Sequence, residues 1–478
     1  MWLFIFLFSL LLALPAEAAL RVAAFDLANR SGDGAKEEYG WVGLNVPETI
    51  AGKLSEIPGI QIIPRPMWKD LAQKLRFSSS DLLDQKNVLR IGEFLGVNTI
   101  ILGSFTVLEE EINFNFRFVD VKTGTLLRNL NRTSPKDDRL LETLAAFSLE
   151  AVEALNQRVI DGEVAALPPE ERLEVTEETK QKIQRSPTKN QEVYALFGKG
   201  NEANDQNRWE EALSLYRHVL ELDEDYAEAW QNLGGVLTNR ERLEEAWEAG
   251  RNALAIFQER GDERRRSEIL DYLGVVMERR GRLEDAEGLY KESLDIEREI
   301  NNEPGVARTL NNLGIIAMNR GRTIAAEQLY RENLEIERKT GNEPGIAQTL
   351  NNLGVLVYSR GEFGAAEAFL KEGLEIKRKL GDSLSVARSL NNLGIIAVRD
   401  GRSKAAEGFY EESLDILKET GDVPGAALAL FNLALLGKNQ GLKDQPLLQA
   451  KEALETFRRI GSPYVDRAEQ LIQQLESR

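Results

Sequence analysis

The chain reads as an α+β amino-terminal domain followed by an all-α, right-handed solenoid of helical hairpins. Two patterns carry that class. Between residues 112 and 118, Ile112, Phe114, Phe116 and Phe118 alternate with Asn113, Asn115 and Arg117, the period of two that marks a strand with one wet face. Beyond residue 192, Gly234, Gly274, Gly314, Gly354 and Gly394 recur every 40 residues, with Ala434 in the same slot. A second series runs Gly281, Gly321, Gly361, Gly401 and Gly441, a third Ala286, Ala326, Ala366 and Ala406, and a fourth Gly341, Gly381, Gly421 and Gly461, broken by Asn301. A fixed period of this length means stacked units, because one unit cannot bury its apolar face alone.

Residues 1–18, "MWLFIFLFSLLLALPAEA", form an apolar run ending in the small-x-small pattern of a cleavage site, so export to the periplasm or beyond is expected, with cleavage after Ala18. No Lys or Arg precedes Arg21, and an uncleaved inner-membrane anchor is the alternative reading. Residues 19–160 follow as the α+β domain. Strands are expected at "LRVAAFDLAN", "GIQIIPR", "VNTIILGSFTVL", "EINFNFRFVDV" and "TLLRNLNR". Helices are expected over 41–57, from the spacing of Val42, Val46, Ile50 and Leu54, over 66–76, over 80–95 with Ser80-Asp81 as its cap, and from Asp137 to Ile160. Residues 161–191, charged and carrying Pro168-Pro169 and Pro187, read as a linker with one short exposed helix.

Within one 40-residue unit, Leu310, Leu313 and Ala317, then Ala326, Leu329, Tyr330 and Leu334, lie at helical spacing on either side of Gly321, which makes each unit a hairpin. Gly314 and Ala326 are expected to leave the helix crossing free of bulk. Gly341 is placed as a left-handed cap, and Pro344 in the next helix's first turn, where a missing N–H costs nothing. Seven units are counted over 192–466: 193–226, 227–266, 267–306, 307–346, 347–386, 387–426 and a degenerate 427–466 in which Pro446 replaces the packing alanine. Residues 467–478 form a capping helix.

Two resemblances accompany this reading. The spacing of "LNNLG" with the later Ala and Tyr resembles the tetratricopeptide repeat, in the longer form of kinesin light chain and the LGN adaptors. "VAAFDLANRSGDG", "WVGLNVPETIAGKLSEIPGIQIIPR", "IGEFLGVNTIILGSF" and "FRFVDVKTGTLL" look like the amino-terminal domain of the TolB translocation protein and the related FlgO and CsgG domains. CsgG-type proteins are lipid-anchored and insert strands into membranes; this chain has no cysteine to acylate and no long alternating insertion, so pore formation is not implied.

The motif "TLNNLG" or "SLNNLG" puts two asparagines, poor helix formers, into each of three helices. The candidate surface is three ladders with their apolar neighbours: Arg308, Gln348 and Arg388; Asn311, Asn351 and Asn391; Asn312, Asn352 and Asn392; and Ile315, Val355 and Ile395. An amide both donates and accepts, so such ladders suit the backbone of an extended peptide whatever its side chains. The resemblance implies peptide contact at these positions. The competing reading is that one Asn per helix bonds the neighbouring unit and fixes the stacking. The arginines hint at an acidic ligand.

Sixty basic against 78 acidic residues give a net charge of −18, which disfavours nucleic acid and anionic membranes as partners. The absence of cysteine rules out thiolate metal sites and disulfides, and a single histidine, His218, leaves no His-rich metal site. "PETIAGKLSE" fails as a phosphate loop, with Pro47 where glycine is required and Leu54 where Ser or Thr is. "NRSGDG" reads as a strand-to-helix turn. Glu287, Glu327, Glu367 and Glu407 read as first-turn carboxylates answering the helix dipole. The expectation is therefore a non-enzymatic adaptor with no cofactor or metal that binds a protein or peptide. A small-ligand or catalytic amino-terminal domain is the alternative, and a self-associating scaffold is the third reading.

Overall fold

The computed structural model describes residues 20–477 apart from 79, 161, 186, 187 and 189. The expected signal segment lies outside them, as does Pro187. The first region holds β1 (Leu20–Ala24), β2 (Ala28–Asn29), α1 (Asp33–Glu38), α2 (Gly40–Leu54), β3 (Ile60–Ile62), α3 (Arg65–Lys74), α4 (Gln85–Phe94), β4 (Thr99–Val107), β5 (Glu111–Asp120), β6 (Leu126–Pro135) and α5 (Arg139–Leu155). These build a mixed sheet in the order β3-β1-β4-β5-β6, with β2 on β4; β1 pairs parallel with β3 and β4, and β4, β5 and β6 form an antiparallel meander. The alternation in β5 is what covers one face: Ile112, Phe114, Phe116 and Phe118 are all buried against α2 and α5, with the Phe116 and Phe147 rings 4.2 Å apart. Val42, Val46, Ile50 and Leu54 of α2, the helical set read from the sequence, are each 0% exposed.

Three stretches differ from the expectation. The last predicted helix of this region stops at Leu155, and its tail becomes β7 (Gln157–Ile160), paired with β8 (Glu163–Ala166). The segment 161–191, expected as a linker with one short exposed helix, supplies β8 of that hairpin and, as the short helix, α6 (Glu177–Gln184), capped by the Thr176 hydroxyl, but it is not exposed throughout. Ile183 of α6 is fully buried in the sheet domain's core, and the neighbouring backbone is tied down as Lys53 Nζ donates to the carbonyls of Ile183 (2.5 Å) and Arg185 (2.9 Å). Composition suggested a linker; one apolar residue and two carbonyls made it part of the domain. Similarly, α4 begins at Gln85, capped by Asp84, after a short 3-10 turn at Asp81–Leu83.

Fourteen helices follow as consecutive pairs: α7 (Gln191–Asp205) and α8 (Trp209–Leu222); α9 (Ala227–Asn239) and α10 (Leu243–Arg260); α11 (Glu263–Arg279) and α12 (Leu283–Glu299); α13 (Glu303–Asn319) and α14 (Thr323–Thr340); α15 (Glu343–Ser359) and α16 (Phe363–Leu380); α17 (Ser383–Arg399) and α18 (Ser403–Thr420); α19 (Val423–Asn439) and α20 (Asp444–Arg459). A last helix, α21 (Val465–Glu476), packs Ala468, Leu471 and Leu475 onto the end. The stops are as expected: Gly341, Gly381 and Gly421 close their helices with φ of 68°, 72° and 74°, and Pro344 lies in the first turn of α15. The crossing is not. Gly314 makes room for an aromatic ring, since a Cβ there would stand 2.3 Å from Tyr330 Cε1, and Gly274 and Gly394 face Tyr290 and Tyr410 in the same way. Successive hairpins share their apolar surface: Met277, Tyr290 and Leu294 form one cluster with Val306, Leu310 and Leu313 of the next.

In the turn between paired helices, Gly281, Gly321, Gly361, Gly401 and Gly441 have φ between 70° and 84°, and Glu241 holds the same slot at φ 57°. A left-handed non-glycine residue costs about 1–2 kcal/mol. Glu241→Gly should therefore raise stability by about 1 kcal/mol, the loss of its exposed 3.3 Å pair with Arg279 taking back only tenths. A higher thermal midpoint checks it.

By its Cα packing the chain falls into two compact units, one of residues up to 67 with 97–236, the other of 68–96 with 237–478. The first unit joins the sheet to α7 and α8. There α2 lies on α7 as a further hairpin helix would: Trp41 meets Tyr194 edge-on at 5.6 Å, Thr49 Oγ1 and Tyr194 OH share a 2.7 Å hydrogen bond, and Asn201 Nδ2 donates to Asn45 Oδ1 at 2.8 Å. Arg65 adds ion pairs to Asp26 (2.6 Å) and Asp205 (2.7 Å). The second unit contains most of α3, all of α4 and the later hairpins.

Candidate peptide-binding surface

The candidate residues occupy the first helices of three consecutive hairpins, α13, α15 and α17. Leu310, Leu313 and Ala317 point inward at 0%, 5% and 2% exposure, which leaves the adjacent stripe of the helix at the surface. Asn311, Asn312, Asn351, Asn352, Asn391 and Asn392 are all half-buried, as are Ile315 and Ile395, while Gln348, Arg388 and Val355 are exposed.

The stacking reading of the asparagines is seen directly. Asn352 Nδ2 donates to Asn311 Oδ1 at 2.8 Å, and Asn432 Nδ2 to Asn391 Oδ1 at 2.8 Å, each bond joining the second Asn of one hairpin to the first of the hairpin before. Asn232 Nδ2 does the same to Asn201 Oδ1 at 2.7 Å. These amides therefore set stacking. They are not sealed: each keeps a donor or acceptor at a half-exposed edge, and among the described residues no side-chain hydrogen bond engages Asn312, Asn351 or Asn392. Gln348 Nε2 lies 3.5 Å from Asn352 Oδ1 and extends the amide surface.

Arg308 departs from the expected role. Its Nε pairs with Asp271 at 2.8 Å and its Nη2 with Glu297 at 3.3 Å, and Thr309 Oγ1 donates to the same Asp271 carboxylate. Glu297 is 0% exposed and also accepts from Ser267 and Asn302. Burial works against the arginine's charge, but the carboxylates of Asp271, Glu268 and Glu297 outweigh it and raise its pKa. For Glu297 burial wins over the attraction of Arg308, and its pKa rises. Arg308 thus answers buried acids before any ligand. Asp271, standing where later hairpins carry asparagine, was the sequence signal for this.

Family models of the tetratricopeptide repeat match residues 225–299, 305–379 and 386–420, and a TPR repeat model matches 200–239. The helical array is built of tetratricopeptide repeats. Its fold is similar to that of a Signal Transduction ATPase with Numerous Domains from Pyrococcus horikoshii that carries a tetratricopeptide repeat sensor, at a TM-score of 0.52 and 16% identity over 59% of this chain and 44% of that one. BtubC from P. vanneervenii aligns at 23% identity and a TM-score of 0.41 over 48% of this chain and 92% of its own. A putative kinesin light chain from Podosopora anserina aligns at 18% identity and 0.37, over 42% and 97%. No curated protein matches the sequence.

Elsewhere the tetratricopeptide array is tied together by acids the sequence reading assigned to the helix dipole. Glu287 receives Arg320 (2.8 Å) and Arg322 (2.6 Å) from the next repeat, Glu327 receives Arg360 (2.5 Å), and Glu367 receives Arg402 (2.5 Å). The hydrogen bond from Arg322 is the main reason the Glu287 carboxyl is held down to about 2. His218 is exposed on α8, and "PETIAGKLSE" is the last part of α2 from Pro47 to Leu54 with the turn that ends it at Ser55 and Glu56. Among the described residues no helix is long and apolar enough to cross a membrane.

Between the fifth and sixth repeats the interior carries a lysine. Lys377 is 9% exposed and donates to Ser389 Oγ at 2.8 Å. Burial, eased by Asp382 and reinforced by the like charges of Lys74 and Arg388, lowers its pKa to about 8. The unfolded lysine titrates near 10.5, so between pH 8 and 10.5 the unfolded chain holds more protons and the group's contribution to stability rises with pH; below pH 8 the burial cost is present in full. Lys377→Met should be more stable than the parent at pH 7 by about 2 kcal/mol, and this advantage should shrink towards pH 10. Urea midpoints of both proteins at the two pH values check it.

Proposed function

We propose that the tetratricopeptide array is an adaptor surface that holds an extended segment of a partner protein along α13, α15 and α17. The observation that supports it is the amide stripe: half-exposed Asn pairs in three successive first helices, only part of whose bonding capacity is spent between repeats. A peptide backbone laid across the stripe meets donors and acceptors at each repeat, while Ile315, Val355 and Ile395 offer apolar contact beside them. Export, suggested by residues 1–18, and docking of the TolB-like amino-terminal domain to an envelope component complete the reading.

The test uses the asparagines that stacking does not engage. The full chain and its Asn312→Ala, Asn351→Ala, Asn392→Ala triple variant are crosslinked in the intact cell, and their captured partners are compared by mass spectrometry. The triple variant should lose a specific partner while keeping its melting temperature. An unchanged partner set in a stably folded variant would remove the amide stripe from the account. Fractionation of the same cells decides the compartment.

A further inference from the structure

Asparagine is among the residues that strands disfavour, yet β5 and β6 carry four of them on the face turned away from α2 and α5. The register of β4, β5 and β6 sorts that face into rows: Thr106, Asn113 and Thr133 lie side by side, then Ser104, Asn115 and Asn131, and Asn129 follows beside Arg117. Neighbours in such a row stand about 4.5–5.5 Å apart, and no shift of register interrupts the β5–β6 pairing before Phe118. Asn113 and Asn115 are half-buried; Asn129, Asn131 and Thr133 are exposed. Threonine or valine would serve a merely wetted strand better, so the amides stand against local preference, as residues at binding sites often do.

A ladder of side-chain hydrogen bonds fixes how these amides point. Asn115 Nδ2 donates to Asn129 Oδ1 at 3.0 Å and to Asn131 Oδ1 at 2.6 Å, and Thr133 Oγ1 donates to Asn113 Oδ1. The ladder uses both protons of Asn115 and the oxygens of the other three, so the Nδ2 groups of Asn113, Asn129 and Asn131 and the Oδ1 of Asn115 have no hydrogen-bond partner among the described residues. The face therefore offers three oriented amide donors and one amide acceptor. Its first two rows hold no aromatic or aliphatic side chain, and its charges, Glu111 and Arg117, stand at the two ends. Beyond Thr133 and Glu111 it runs into an open cleft of about 510 Å³, which Lys136 and Arg139 also line.

We infer that this face is a binding site for a neutral, N-acetylated oligosaccharide. The site is separate from the repeats and independent of their peptide reading. Nucleic acid and anionic lipid need several cations, and the face has one, at its border. A protein interface buries apolar and aromatic anchors at its centre, where this face has only amides and hydroxyls. A sugar chain asks for oriented neutral donors and acceptors. Its hydroxyl oxygens, and above all its acetamido carbonyls, accept from the three Nδ2 groups, while its own protons go to Asn115 Oδ1 and the Thr106 and Thr133 hydroxyls. Amide donors outnumber the amide acceptor three to one, which favours an acetamido sugar over a plain one. Because the ladder holds the amides in place before a ligand arrives, less freedom is lost on binding.

The full chain is titrated with N-acetylglucosamine hexamer and with glucose hexamer, and binding is read by saturation-transfer NMR of the sugar protons. The acetylated hexamer should bind with a dissociation constant on the order of 1 mM, little changed by salt because no charge is neutralised, and the glucose hexamer several-fold more weakly. In an Asn129→Asp, Asn131→Asp double variant the carboxylate oxygens still accept from Asn115 while the outward N–H groups are gone. Its melting temperature should be kept and its binding should fall about tenfold. Asn113→Thr, a residue that strands prefer, removes the third donor and should also weaken binding should the double variant prove unstable. Gln328→Ala, exposed on α14, should leave binding as it was. No binding of the acetylated hexamer overturns the inference, as does binding that the variants retain. Equal binding of the two hexamers overturns the acetamido assignment. Crosslinks from Asn131 to another protein, lost in the double variant, would make the face a protein-docking surface and overturn the sugar. None of these outcomes bears on the asparagines of the repeats, which the triple variant tests.

Discussion

Arg308→Ala should destabilise the third and fourth repeats by about 3 kcal/mol. The substitution leaves the Asp271 and Glu297 carboxylates buried, at 5% and 0% exposure, without the guanidinium that faces them. Removing one partner of a buried pair strands the other, and that penalty exceeds the net worth of the pair itself. The partial exposure of the guanidinium keeps the effect at the lower end of the range. A long array does not unfold as a single two-state unit, so the measurement is hydrogen exchange of the amides in α11 to α14, which should lose protection while α19 to α21 keep theirs. Arg388→Ala, in the equivalent slot without counter-ions, should change protection by less than about 0.5 kcal/mol. Equal effects of the two substitutions would show that the counter-ions are not what distinguishes the slots.

Gly314→Val should cost about 3 kcal/mol or more, because its Cβ would stand 2.3 Å from Tyr330 Cε1 and 2.8 Å from Cδ1, and the ring is 2% exposed with nowhere to retreat. The opposite sign is expected on the second helix of the preceding hairpin. Gly288 of α12 is exposed with nothing within 4 Å of its Cβ position, so Gly288→Ala should stabilise by about 0.5–1 kcal/mol through helix propensity alone. Thermal unfolding of the two variants beside the parent separates the glycines kept for space from those that are not.

The repeat architecture was legible because it is written locally and many times over. Each hairpin is short enough for its glycine cap, its turn and its apolar spacing to sit within one 40-residue window, and repetition exposes the rule. The strand pattern of β5 was legible for the same reason. What escaped depends on partners far apart in the chain. Nothing near Asn45 announces that its oxygen will receive Asn201, 156 residues away. Ile183 looks like a stray apolar residue in a charged stretch until the core it enters is seen. The candidate surface was half legible: the asparagine ladders fell on one accessible stripe, but the split between Arg308, engaged by acids, and Arg388, left without them, required comparing slots two repeats apart and not residues one turn apart. The recurrent glutamates were visible as a series, whereas their arginine partners, offset by 33 to 35 residues, were not.

The way α2 lies on α7 has a consequence for how this protein can be dissected or inherited. The sheet domain supplies the surface on which the first repeat is laid down, much as a foundation course fixes the line of the bricks above it. Cut free at residue 192, the repeats would lose the cover that α2 gives Tyr194 and Asn201, and the excised piece should cluster with itself. Recombination that moved the repeats into another gene would have to carry α2 along, or find a substitute for it.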